Sequence, residues 1–344
     1  MSKKFDVVIG NPPYQDEAIG GATSQMPVYR LFMDAAYEVG KKAVLITPAR
    51  FLFNAGSTPK AWNAKMLSDP HLTVPVYVPN SDNLFPGTDI KGGIAVTYRD
   101  EDTVGDPIVT FVKHSELNEV LHKVLAKHEP SLETAVTRRD AFKYTQVMHD
   151  DEPQASSLLS ASSQFIVNSN AFEQVPFVFH EAKPVDGHDY VHVLGLIKNK
   201  RMMRWARSSY ISGPKNFGTY KVAFTEANGS GTLGEVLSSP LVLGPDVAVT
   251  QTFLTIGTFG DQSEAEACLS YIKGKFARAM LGVLKVTQHT TAQVWKHVPL
   301  QNFTSASDID WSKSIPEIDQ QLYAKYKLDA DEIGFIESHV KPMG

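Results

Sequence analysis

At 344 residues the chain is long enough for two hydrophobic cores, and a composition of 42% hydrophobic, 21% charged and 10% aromatic residues excludes a disordered or fibrous protein. A formal net charge of −5 gives the molecule no global attraction for a polyanion, so any such partner must be met by a local basic patch. The single cysteine, Cys268, excludes a disulfide framework and a thiolate zinc site and reads as a small core residue.

Gly10 and two prolines interrupt the first segment before a signal-peptide core could form, and no apolar run approaches the roughly 20 residues that span a bilayer. A cytoplasmic protein without a membrane partner is expected. In chain order, KFDVVIG predicts a buried strand, VYRLFMDAAYEVGK an amphipathic helix closing on Gly40, and KAVLITPARF a second buried strand. SDNLFPGTDIKGGIAVTYRD predicts a loop and a strand, with PIVTFVKH as its hairpin partner. This order suits one half of a doubly wound sheet with an antiparallel edge. SELNEVLHKVLAKHEP predicts a helix stopped by Pro130, closing a first domain at residues 1–130. Residues 131–163, polar and serine-rich, predict a linker. Residues 164–303 predict an α+β module with helices in VLGLIKNKRMMRWAR and SEAEACLSYIKGKFARAMLGVL. Residues 304–344 predict a tail of two short helices split near Leu328 and Asp329.

The stretch that carries chemistry is Asn11-Pro12-Pro13-Tyr14, at the carboxyl end of the first strand, where open α/β sheets bind ligands. The exocyclic nitrogen of adenine is a poor nucleophile because its lone pair is conjugated into the ring. Two fixed acceptors against its hydrogens, the Asn11 side-chain oxygen and the Pro12 carbonyl, favour a pyramidal nitrogen whose lone pair faces an incoming methyl group. Successive prolines preset that loop and remove competing N–H donors. Tyr14 is placed to stack on the base.

These residues resemble the adenine-specific, S-adenosylmethionine-dependent DNA methyltransferases of type II restriction-modification systems. VYRLFMDAAYEV is similar to the family's next motif, whose aromatic residue lines the cofactor's adenine, a position matched by Phe32. LFPGTDIKGGIAV is similar to a loop-plus-strand motif whose Phe stacks on the other face of a flipped base, matched by Phe85. TQTFLTIGTFGDQSEAEACLSYIKGKFARAML and KVTQHTTAQVWKHVPLQNF are similar to the target-recognition part of such enzymes. The resemblance implies an α/β fold class: a partial Rossmann-like methyltransferase sheet followed by an α+β target-recognition domain. It also implies double-stranded DNA as partner, methyl transfer from S-adenosylmethionine to a flipped adenine, and Asn11, Pro12, Pro13 and Tyr14 as the catalytic residues. Asn-Pro-Pro-Tyr also occurs in methyltransferases of protein glutamine and RNA guanine, and a non-catalytic DNA-specificity module stands beside both readings.

The family's glycine-rich cofactor turn does not precede Asn11, so the cofactor site is expected to be incomplete, with a missing N-terminal half or a partner subunit supplying it. Gly229, Gly231 and Gly234 have G-x-G-x-x-G spacing, but Pro240 leaves room for only about one helical turn, and a structural turn is expected. Lys200, Arg204 and Arg207, with Lys198 and Arg201 nearby, are spaced as one face of a helix that could track DNA phosphates; Lys273, Lys275 and Arg278 form a second basic helix. Gln288 to Thr291 could reach base edges. No metal site is expected from His180, His188, His192 and Asp189, which lie in loop and strand, nor a nuclease from Glu181 and Lys183, which lack an upstream Asp in context.

Overall fold

Residues 4–15, 27–54, 57–105, 107–112, 114 and 116–343 are described by the computed structural model, in which the chain divides into two units, Met1–Ser115 and Glu116–Gly344. The boundary falls fifteen residues or so before the expected one, at the start of the helix rather than after it.

In the first unit the apolar run FDVVIG forms strand β1 (Phe5–Gly10), followed by helix α1 (Tyr29–Val39) and strand β2 (Gly40–Pro48). Helix α2 (Lys60–Leu67) and strands β3 (Leu72–Val78) and β4 (Ile94–Asp100) complete it. The sheet order is β1-β2-β4-β3, with β1 parallel to β2 and β4 antiparallel to both of its neighbours. The hairpin partner of β4 is therefore β3 and not PIVTFVKH, whose Phe111 packs instead against Phe53 and Tyr77 with centroids 5.5 and 5.4 Å away. Strand β3 carries Pro75 in its interior. The ladder tolerates it because the register shifts between Thr73 and Val76, which removes the need for a proline N–H.

The two faces of this sheet differ. Ala43, Leu45, Thr47 and Thr97 are buried, and α1 lies on that side, with Arg99 stacked 5.1 Å over the Tyr37 ring. The register places Ile9 beside Val44, Val44 beside Tyr98 and Val76 beside Val96 on the opposite face. There Phe5, Val7 and Ile9 remain 49%, 48% and 77% exposed. Sheets with parallel pairs ordinarily have both faces covered, whereas this apolar face is left open.

The second unit begins with α3 (Glu116–Leu125), the helix expected before Pro130. Strand β5 (Lys143–Tyr144) and short helices α4 (Gln146–Asp151), α5 (Ala155–Leu158) and α6 (Ala171–Gln174) follow. The expected linker at 131–163 is corrected here: Phe142, Tyr144, Met148 and Leu159 are buried in the main core, so the serines decorate a packed segment. Strands β6 (Tyr190–Ile197), β7 (Lys200–Arg207), β8 (Ile211–Ser212), β9 (Tyr220–Thr225), β10 (Leu241–Leu243), β11 (Val247–Val249) and β12 (Phe253–Phe259) pair as β11-β6-β7, β10-β9-β12 and β5-β8. Helices α7 (Gln262–Lys273) and α8 (Lys275–Gly282) are separated by Gly274, and α9 (Ile315–Lys325) and α10 (Ala330–His339) are the two expected tail helices. The result is a mixed α/β chain with several small sheets. No described helix is long and apolar enough to cross a membrane.

Candidate functional site

Strands β1 and β2 run in parallel and end side by side, Gly10 opposite Leu45, so the loops that follow share one edge of the sheet. From β1 come Asn11, exposed and with no side-chain partner among the described residues, then buried Pro12, exposed Pro13 and half-buried Tyr14. The Tyr14 carbonyl accepts from the Val28 amide at 3.2 Å, which ties the loop to the start of α1. Its hydroxyl is buried without a hydrogen-bond partner, and burial pushes the phenol above its ordinary value.

Tyr29, the first residue of α1, packs its ring 6.3 Å from Phe51 and 6.2 Å from Trp62. Burial raises its phenol to about 12, so it is neutral and rigid at ordinary pH. Strand β2 ends on Pro48, and Arg50 follows it. Together Tyr14, Tyr29, Pro48, Arg50, Thr58 and Asp89 line a cavity of about 190 Å³. Its size suits a flat fragment-sized ligand, since drug-sized pockets start at roughly 300 Å³.

Of the expected catalytic quartet, Tyr14 lines this cavity and Asn11 to Pro13 form the loop leading into it. Phe85, held in a turn by its amide donating to the Ser81 carbonyl at 2.7 Å, is half-buried and does not line it. Phe32 lies on the exposed side of α1 at 46% exposure and does not line it either. Sequence reading missed Tyr29, Arg50 and Asp89. Each lies inside a segment quoted above for its pattern, but no periodicity or motif spacing links residues so far apart.

The glycine turn at 229–234 is closed from within. The Glu235 carboxylate accepts from the Ser230 amide at 2.8 Å and the Gly231 amide at 2.6 Å, and Lys285 donates to it at 2.8 Å. Burial alone would raise the Glu235 carboxyl, but Lys285 and the two amides outweigh it and hold the group below its ordinary value. The amides a cofactor phosphate or carboxylate would need are thus occupied by the protein's own anion, as expected of a structural turn.

The expected basic helix at 198–207 is corrected. Lys198 and Asn199, at φ 49° and 62°, make the left-handed two-residue turn of a hairpin, and the cations lie on strand β7. Alternation puts Lys200 and Arg204 on one face and Arg201 and Arg207 on the other, so no single stripe forms. Arg204 is paired with Glu181 at 2.6 Å, Arg207 with Asp186 at 3.3 Å, and Arg201 donates to the carbonyls of Ser238 and Ser239. The second basic helix is broken at Gly274. Its Lys275 pairs with Glu337 at 2.5 Å, and Arg278, 2% exposed, donates to the carbonyls of Gly234 and Lys341. The side chains of Lys198, Lys200 and Lys273 have no hydrogen-bond or ion-pair partner among the described residues, although the Lys273 carbonyl accepts from Arg278. His289 lies 2.9 Å from Glu226, whereas Gln288 is exposed. The His192 ring lies 3.6 Å from that of Trp205, and among the described residues no three His, Cys, Asp or Glu side chains gather as metal ligands.

The first 85 residues, which contain both loops of this site except its last lining residues, match the model of the Eco57I restriction-modification methylase family. Comparison with curated proteins gives no match. Among solved structures, the type IIG restriction endonuclease BpuSI is similar at 12% identity, TM-score 0.33, over 97% of this chain and 53% of that one. The type IIL restriction-modification enzyme MmeI, solved in complex with DNA, is similar at 9% identity, TM-score 0.41, over 97% and 56%. This chain spans about half the length of each.

Proposed function

We propose that the chain is the base-binding and target-recognition portion of a site-specific DNA adenine-N6 methyltransferase of a restriction-modification enzyme. The observation that carries this reading is the Asn11–Tyr14 loop at the end of β1, with an unengaged Asn11 amide and Tyr14 on the wall of an aromatic cavity. The methylase family match over residues 1–85 supports it. In this reading an adenine leaves the duplex and enters between Tyr14 and Tyr29. Its amino hydrogens are accepted by the Asn11 side-chain oxygen and the Pro12 carbonyl, which turns the nitrogen lone pair outward. Asn11 is fit for this because no other described group competes for it. Phe85 would close on the base from its turn.

S-Adenosylmethionine would supply the methyl group, but the described residues do not form a cradle for it: Glu235 fills the one glycine turn of suitable spacing. Phe32 is the residue of this chain that would touch it. The bare face bearing Phe5, Val7 and Ile9 supports a covering half, on the same polypeptide or a partner subunit, that holds the cofactor. Residues 116–344 would then serve in target recognition, with Lys198, Lys200 and Lys273 as the cations left for DNA phosphates.

The test is mass-spectrometric detection of N6-methyladenine in duplex DNA treated with the protein in its native assembly and S-adenosylmethionine. Asn11→Ala is expected to lower the yield at least 100-fold while duplex affinity changes less than twofold. N6-methyladenine formed at an undiminished rate by Asn11→Ala, or methylation confined to RNA or protein, refutes the reading.

A further inference from the structure

We infer that Arg50 binds the phosphate of the nucleotide whose base enters the Tyr14–Tyr29 cavity, an assignment that rests on the reading of that cavity as a base site. Arg50 follows β2 and is set in place by the loop at residues 91–93. Its Nε donates to the Lys91 carbonyl at 2.6 Å, and the Ala49 amide beside it donates to the Gly93 carbonyl at 2.9 Å. Gly92 sits at φ +87°, and a Cβ there would come within 3.0 Å of the Arg50 Cγ. The arginine stem therefore lies directly over a glycine.

With Nε committed to a backbone carbonyl, the guanidinium is fixed in orientation and its two terminal nitrogens have no partner among the described residues. That pair is the fork that matches phosphate oxygens in a bidentate way, and its orientation has been set before a ligand arrives. Among the described residues the one carboxylate on the cavity wall, Asp89, pairs with Lys91 at 2.7 Å, so the balance of Arg50, Lys91 and Asp89 is positive. Two tyrosines for a flat ring and a preset cation for an anion make a nucleotide-shaped site, in a region of a chain whose overall charge is −5.

The experiment is a titration of the full chain with deoxyadenosine, deoxyadenosine monophosphate and inorganic phosphate, followed by saturation-transfer NMR. The monophosphate is expected to bind about tenfold more tightly than the nucleoside. Arg50→Gln should bring the affinities for monophosphate and nucleoside together, while Arg50→Lys retains part of the monophosphate's advantage. Gly92→Ala, which presses on the Arg50 stem without removing charge, should reduce the same advantage. Equal binding of nucleoside and monophosphate by the unaltered chain, or an advantage that survives Arg50→Gln, overturns the inference. Arg50-dependent binding of phosphate and monophosphate without any nucleoside binding keeps the phosphate site and sinks the base-cavity reading. Failure of all three ligands to bind overturns both.

Discussion

Replacing Glu235 by alanine removes the carboxylate that closes the Gly229–Gly234 turn and leaves three donors without it. Lys285 is the costly one: its side chain is 4% exposed and it keeps only the Asn228 carbonyl at 2.8 Å and the Thr287 carbonyl at 3.2 Å. Stripping one partner from a buried ion pair costs about 3 to 5 kcal/mol, and the two remaining carbonyls place this case near 3. The buried Gly231 amide adds about 1 kcal/mol of unmet hydrogen bonding, whereas exposed Ser230 is resolvated. The sum, about 4 kcal/mol, lowers the melting temperature by roughly 8 to 16 °C for a unit of this size. Urea unfolding of Glu235→Ala measures it. Adding Lys285→Met removes the stranded charge and should recover about 2 kcal/mol relative to Glu235→Ala alone. Calorimetry with S-adenosylmethionine should show no binding to the unaltered chain. A cost below about 1 kcal/mol, or saturable cofactor binding that Glu235→Ala changes, would refute the assignment of this turn as structural.

The other expectations concern pH and DNA. Burial, helped by the charge of Lys296, lowers the His297 imidazole to about 4. The unfolded chain takes up a proton near 6.5 that the folded chain refuses until about 4, so stability falls as pH drops across that interval, by about 3 kcal/mol at about 1.4 kcal/mol per unit. His297→Gln should flatten this limb of the unfolding free energy between pH 4 and 6.5; an unchanged slope rejects the assignment. For DNA, Lys198→Ala with Lys200→Ala should lower the slope of log affinity against log salt by about two, whereas Arg204→Ala, already paired with Glu181, should leave it unaltered. Equal effects from both variants would show that the Glu181 ion pair opens on binding.

The first strand, its helix and the second strand were legible as elements, from apolar runs for the strands and a 3.6-residue stripe for α1, but β1, expected to be buried, has no buried residue. Strand β3 was hidden by Pro75, which argues against a strand unless a bulge accommodates it, and the bulge is visible only in the register. The stretch KNKRMMRWAR read as a helix because its cations fall at i, i+4 and i+7. The deciding feature was the Lys198-Asn199 turn, and a left-handed lysine is not announced by its identity. Serines around Phe142, Tyr144, Met148 and Leu159 disguised a core segment as a linker. At the site, the Asn11–Tyr14 loop carries its own signature. Arg50 does not, since it gains meaning only from Lys91 and Gly92, about forty residues later in the chain.

Strand β1 has a further consequence for handling the protein. Among the described residues it pairs with β2 along one side only, so its other backbone edge offers N–H and carbonyl groups beside Phe5, Val7 and Ile9. An apolar, unprotected edge is a template on which a second chain can add a strand. Two charges stand against that. Lys4 lies 5.5 Å over the Phe5 ring, and Asp6, on the other face of the same strand, pairs with Lys41 at 2.9 Å. They act as gatekeepers, making edge-to-edge stacking costly by burying charge, while leaving the strand free to accept a matched neighbour. Asp6→Asn is therefore expected to favour edge-to-edge association of the chain, read by light scattering.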